Sequence, residues 1–208
     1  MHLSLLKLNP RSRQVQAELR DPYQMHRTFS KAFGEADAFK KARCLFRVDE
    51  STNGELFALV QSKSQPDWAS LANLRGYLND KVEYKSVTPA IKDGQALRFR
   101  LRANPSVKRD GKRIGIYVET ERLAWLQRKA SKNGFDLLEA RVISDGKQKG
   151  IKTDKHSEQT HATVHSAAIF NGVLRVTDSQ AFLSALENGI GSAKGFGFGL
   201  LSVAPLRR

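Results

Sequence analysis

What most narrows the fold of this chain is an order of hydrophobic patterns that occurs twice. Residues Leu3 to Leu8 alternate as a strand, and Pro22 to Phe33 show helical spacing. Cys44 to Val48 and Leu56 to Gln61 read as two strands joined at Asn53-Gly54, with a weak helix over Asp67 to Tyr77 and a fourth strand over Val82 to Val87. Thr88 to Gly94 reads as a linker, and then the order recurs. Ala96 to Arg102 alternates apolar and basic residues, Leu123 to Ala130 is helical, and Asn133-Gly134 stops that helix. Leu138 to Ile143 and Val164 to Val176 follow as strands, the second expected to turn back on itself at Asn171-Gly172. Asp178 caps a helix over Ser179 to Glu187, and Gly199 to Val203 is the last strand. Each half therefore reads as βαββαβ. The expected fold is α+β, with two tandem ferredoxin-like (RRM-like) domains over residues 1–87 and 95–208.

Charge narrows the partners. The 208 residues carry 35 Lys and Arg against 21 Asp and Glu, a net +14 that attracts polyanions. Seven basic residues stand against one acid between Arg98 and Arg113: Arg98, Arg100, Arg102, Lys108, Arg109, Lys112 and Arg113. A second group, Lys147, Lys149, Lys152 and Lys155, lies in a polar, glycine-containing stretch. Both are expected on loops or hairpin tips. Cys44 is the only cysteine, which excludes an internal disulfide and a Cys-rich zinc site, and its apolar neighbours mark it as a buried thiol. The spacing of His156, His161 and His165 fits polar loop residues better than metal ligands, so neither metal nor cofactor is expected. No apolar run approaches the ~20 residues of a membrane span, and the N-terminus reads as a strand instead of a leader. A cytoplasmic location without membrane attachment is the expectation.

Two segments concentrate chemistry. In the helix that opens at Asp21-Pro22, a 100° step puts Tyr23, His26, Arg27, Ser30 and Lys31 on one side and Met25, Phe29, Ala32, Phe33 and Ala36 on the other. A phenol, an imidazole and two cations sharing one face suit phosphodiester chemistry on RNA without a metal. The imidazole moves a proton near neutrality, and the cations balance charge growing on phosphate. The plainer reading, a surface helix with a stray histidine, weighs about equally. The second segment runs from Gly189 to Gly199, with Gly189, Gly191, Gly195, Gly197 and Gly199 around Lys194. Lys194 is followed by Gly195, so this is no nucleotide P-loop, and the segment leads into a strand instead of opening a helix. A tight turn needs fewer glycines, which favours a backbone contact with RNA or a neighbouring domain.

Four segments carry a family resemblance: Tyr23-Gln24-Met25-His26, Phe99 to Pro105, Ala124 to Lys129, and Gly189 through Leu206. Together they resemble the RAMP endoribonucleases of CRISPR systems, and more narrowly the CasE family, the precursor-RNA processing subunit of the type I-E Cascade complex. The resemblance spans essentially the whole chain. It implies metal-independent cleavage of precursor RNA at the 3′ base of the repeat stem-loop. The 2′-hydroxyl would attack the adjacent phosphate and leave a 2′,3′-cyclic phosphate and a 5′-hydroxyl, with the enzyme remaining on its product beside other Cascade subunits. The family's catalytic residues fall on His26, as base or acid in proton transfer, and on Tyr23, which orients or deprotonates the 2′-hydroxyl. Arg27, Lys31 and Lys194 would steady the charge on phosphorus. Arg98, Arg100, Arg102, Lys112, Arg113, Lys149 and Lys152 are the remaining candidates for RNA contact, Lys149 and Lys152 falling in the Lys147 to Lys155 region that matches the family's basic hairpin. The competing expectation is a non-catalytic RNA-binding scaffold with the same basic surface.

Overall fold

A computed structural model describes residues 1–153 and 160–206, with the strand residues 149–153 and 160–163 described by their backbone alone. The chain divides into two compact units. The first holds Met1–Thr88 together with Gly195–Gly197, and the second is built from Pro89–Gln148, Val164–Lys194 and the C-terminal strand.

In the first unit, strands β1 (His2–Leu8), β2 (Leu45–Glu50), β3 (Leu56–Ser62) and β4 (Glu83–Ser86) form a sheet in the order β2-β3-β1-β4. Every pairing in it is antiparallel. This is the strand order of the ferredoxin-like unit. Alternation of β1 sends Ser4, Leu6 and Leu8 to the buried side, where Met25, Phe29, Phe46, Val60 and Tyr77 complete the core. Helices α1 (Arg13–Arg20), α2 (Pro22–Ser30), α3 (Ala36–Ala42) and the short α4 (Ala69–Ala72) accompany the sheet.

The second unit repeats the plan. Strand β5 (Ala96–Ala103) leads to a two-stranded hairpin, β6 (Ser106–Arg109) and β7 (Lys112–Gly115), before helix α5 (Glu119–Lys132). Strands β8 (Phe135–Thr153) and β9 (Thr160–Val176), helix α6 (Ser179–Asn188) and β10 (Leu201–Pro205) follow. The sheet order β10-β5-β9-β8 matches that of the first unit, element for element, with the small hairpin inserted between first strand and first helix. Leu97, Phe99, Leu101 and Ala103 face the core with Trp125, Phe170 and Phe182, while Arg98, Arg100 and Arg102 take the opposite face. The chain therefore has the α+β, tandem ferredoxin-like fold that its two repeated patterns imply.

Local readings needed correction in four places. The Asp67–Tyr77 helix shrinks to Ala69–Ala72, because Trp68 turns inward to donate a 2.9 Å hydrogen bond to Ser4 Oγ and Gly76 adopts φ +71°. Asn171-Gly172 is no turn. It lies within β9, opposite Arg100 and Phe99, and a Cβ at residue 172 would overlap the Glu139 carbonyl of β8. Ala36 is not on the apolar side of the N-terminal helix, because α2 ends at Ser30 and Ala36 opens α3 in an exposed position. Helices α1 and α3 give no clear helical pattern in sequence since they are short and largely polar, with Val15 and Glu18 the buried residues of α1 and Ala42 that of α3. Among the described residues no helix is long and apolar enough to cross a membrane.

Candidate active site

The geometry around α2 starts with its first turn. Pro22 supplies a pre-set φ at the first helical position, and the Asp21 carboxylate accepts from the Tyr23 N–H at 3.3 Å. Met25, Thr28 and Phe29 are buried, leaving Arg27 and Lys31 exposed and Tyr23 and His26 half-buried. The two rings lie one helical turn apart on the same side, centroids 6.1 Å apart and planes inclined by 30°.

His26 is held by aromatic neighbours. Its ring lies 4.9 Å from Phe39 in an edge contact and 6.1 Å from Phe46 in a stacked one. Nδ1 is buried and has no hydrogen-bond partner among the described residues, and burial pushes the imidazole pKa down from 6.5 to about 4. At neutral pH the ring is uncharged. Its Nε2 edge faces Gly195: a Cβ there would stand 3.4 Å from Cδ2, 3.5 Å from Nε2 and 3.7 Å from the Tyr23 ring. Phe196 stacks on Tyr23 at 5.4 Å. The helix and the tip of the glycine-rich segment thus converge around one imidazole edge and one phenol.

The remaining glycines serve mainly the loop itself. Gly189 ends α6 by donating to Ala185 O at 2.8 Å, and the Ile190 N–H donates to Gly199 O at 2.8 Å. Gly199 has φ +90°, and a Cβ there would lie 2.9 Å from Ile190 O, so only glycine closes the loop at that point. Gly191 lies against Trp125, and Gly197 also has positive φ. Lys194 opens a 3₁₀ turn, and its Nζ donates to Asn188 O at 2.5 Å.

The basic candidates divide. Lys112 and Arg113 are exposed on β7, Arg113 donating to Ser106 Oγ at 3.2 Å, and Arg98 is exposed on β5. Arg100 donates to Asn171 Oδ1 at 3.2 Å. Arg102 is committed within its own unit: Nε bonds Asp145 at 2.6 Å, Nη2 bonds Gln148 at 2.9 Å, and the guanidinium lies 4.8 Å from the Phe198 ring centroid. The side chains of Lys149 and Lys152, with Lys155, His156 and His161, lie outside the described residues. His165 is seated by Asn104 Nδ2 at 3.1 Å, and among the described residues no three His, Cys, Asp or Glu side chains gather as metal ligands. Cys44 is buried, and burial pushes its thiol up to about 12.

The hairpin tip expected for the basic cluster holds for Lys108, Arg109, Lys112 and Arg113, which the β6–β7 hairpin lifts into solvent, whereas Arg98, Arg100 and Arg102 lie on β5. Sequence reasoning missed two features. One is the turn that forms this hairpin, Asp110-Gly111, whose two positive φ angles make it a readable signal. The other is Glu18, a buried carboxylate that accepts from Thr28 of α2 at 2.6 Å and from Tyr77 at 2.5 Å. Nothing in its polar surroundings in sequence announces that role.

Residues 1–205 match the family model of CRISPR-associated proteins. The chain is 38% identical to the CRISPR-associated endoribonuclease Cse3 of Thermus thermophilus, an alignment covering 99% of this chain and all of that protein. It is 32% identical to the CRISPR system Cascade subunit CasE of Escherichia coli, over 90% of this chain and 94% of the relative. A solved structure of Cse3 bound to a 19-nucleotide RNA superimposes with a TM-score of 0.86 at 38% identity, covering 99% of this chain and all of that one. With its two ferredoxin-like units and its full-length likeness to Cse3 and CasE, the chain belongs to this family of CRISPR-associated proteins.

Proposed function

We propose that the chain is an endoribonuclease that processes CRISPR precursor RNA at the 3′ base of the repeat stem-loop and then holds its product within a Cascade complex. The observation that carries this reading is the meeting of the Tyr23 and His26 rings on one side of α2 beneath Gly195. The likeness to an endoribonuclease and to a Cascade subunit supports it.

The chemistry follows from the site. Burial keeps His26 neutral, so the imidazole enters the reaction ready to accept a proton. Nδ1 is sealed, which leaves Nε2 to receive the proton of the 2′-hydroxyl while the Tyr23 phenol orients that oxygen. The bond from 2′-oxygen to phosphorus forms, the bond from phosphorus to the 5′-oxygen breaks, the departing oxygen takes up a proton from water, and Nε2 gives its own back to water. A 2′,3′-cyclic phosphate and a 5′-hydroxyl remain. Arg27, exposed on α2, Lys31, exposed just past its last residue, and Lys194, the residue before Gly195, offset the charge that builds on phosphorus. No step calls on a metal ion. The exposed cations of the β6–β7 hairpin, with Lys112 and Arg113 among them, suit the groove of an RNA stem.

Incubation with a labelled repeat hairpin tests this. Wild-type protein cuts once and leaves cyclic-phosphate ends, a 2′-deoxy substitution at the cut site blocks the reaction, and chelators do nothing. His26→Ala abolishes cleavage while binding persists. An intact strand after incubation with wild type would make the protein a scaffold, and inhibition by chelators would overturn the metal-free mechanism.

A further inference from the structure

Tyr117 lies between the basic hairpin and α5, and the backbone just before it is tied by several hydrogen bonds. The preceding Ile116 N–H donates to Pro105 O at 2.9 Å. The Ile116 carbonyl accepts from Arg122 Nε at 2.9 Å and from Ser166 Oγ at 2.5 Å, and Arg122 Nη2 reaches Ser166 Oγ at 2.9 Å. Arg122, Ser166 and Ile116 are buried. Tyr117 itself, by contrast, is 49% exposed, between Ile114 at 46% and Val118 at 56%. Its ring lies over Gly115, where a Cβ would come 3.2 Å from Oη and 3.3 Å from Cζ. Lys147 Nζ stands 5.5 Å from the ring centroid.

A fixed backbone carrying an exposed aromatic ring costs water contact with apolar surface and contributes little to the core. Its value is in meeting something flat. We propose that Tyr117 is a stacking platform for an unpaired base of the bound RNA, with Lys147 and the hairpin cations holding the phosphates on either side. The proposal rests on the RNA-processing reading above and extends it to the single-stranded part of the substrate. Aromatic stacking suits any base, because each has a π-face, and is stronger where cations neutralise the backbone. The cations favour RNA over a protein partner here. Lys108, Arg109, Lys112 and Arg113 are all exposed within ten residues of Tyr117, and Lys147 is at the ring itself, whereas the core of a protein interface is depleted of charge.

Affinity for the repeat hairpin with its unpaired nucleotides tests the proposal, using wild type, Tyr117→Ala and Tyr117→Trp against RNAs in which each unpaired base in turn is abasic. Tyr117→Ala is expected to weaken binding about tenfold or more, and Tyr117→Trp to stay within about twofold of wild type. One abasic position is expected to reproduce the loss and to add nothing to it in the alanine variant. Unchanged affinity of Tyr117→Ala would overturn the proposal, as would an equal loss on the blunt stem duplex, which has no unpaired base. Loss of co-purifying protein subunits with RNA affinity intact would also overturn it and make the face a protein contact. Wild type that neither prefers nor cuts the repeat hairpin would sink the RNA-processing reading and this inference with it, whereas normal cutting alongside an indifferent Tyr117→Ala would sink this inference alone.

Discussion

Thr28 donates a 2.6 Å hydrogen bond to Glu18, tying the helix that carries Tyr23 and His26 to the helix before it through a buried carboxylate. Tyr77 adds a 2.5 Å bond to the second oxygen and Gln14 a 2.9 Å bond to the first. Removing the carboxylate strands a buried hydroxyl and a buried phenol, each of which then bears its desolvation cost. Glu18→Ala is expected to lower stability by about 2–4 kcal/mol, read from urea denaturation, and Glu18→Gln by roughly half as much. Equal stability in all three proteins would show that the carboxylate does not pin α2.

His26 makes stability depend on pH. Burial takes its pKa from 6.5 to about 4, so between these values the unfolded chain binds a proton that the folded chain refuses. The unfolded state then holds more protons, and stability rises with pH across the window and declines as pH falls through it. The decline is at most about 3 kcal/mol. His26→Phe keeps an aromatic ring against Phe39 and Phe46 but cannot titrate. Urea midpoints of wild type should fall more steeply than those of His26→Phe between pH 6.5 and 4, and parallel curves would mean the imidazole is not desolvated. For the same reason the kcat/KM profile of wild type should show no inflection at 6.5.

Gly195 keeps the Nε2 edge of His26 open. A methyl group there would make ordinary contacts of 3.4–3.7 Å with the His26 and Tyr23 rings, so the fold should accept it. A substrate oxygen would not share the space. Gly195→Ala is expected to reduce single-turnover cleavage at least tenfold while thermal stability and RNA affinity hold, and Gly195→Val to reduce it further. Undiminished cleavage by the alanine variant would place the reacting atoms elsewhere.

How much of this was readable depends on where the determining contacts lie. The repeated strand and helix order was legible because alternation and 3.6-residue spacing are local properties, and Leu97, Phe99 and Leu101 alternate with arginines over a single strand. The Tyr23 and His26 pairing was legible for the same reason, being one turn of one helix. Gly172 was misread as a turn because its requirement comes from the Glu139 carbonyl on β8, far off in sequence, which no local pattern records. Glu18 was invisible on the same grounds, as its partner Tyr77 is 59 residues distant. The desolvation of His26 depends on Phe39 and Phe46 arriving from outside its helix.

The basic residues are not equivalent, and salt separates them. Removing one cation that neutralises a phosphate should flatten the slope of log affinity against log salt by a little under about one unit. Lys112 and Arg113 are exposed on the hairpin, so replacing either with alanine is expected to weaken binding and flatten the slope by about that amount. Arg102 is already neutralised by Asp145 at 2.6 Å, with its side chain only 12% exposed. Arg102→Ala should leave the slope where it is and instead lower stability by about 1–2 kcal/mol, because Asp145 and Gln148 are left without their donor. A slope that drops for Arg102→Ala as it does for Lys112→Ala would show that Arg102 abandons Asp145 for phosphate when RNA binds.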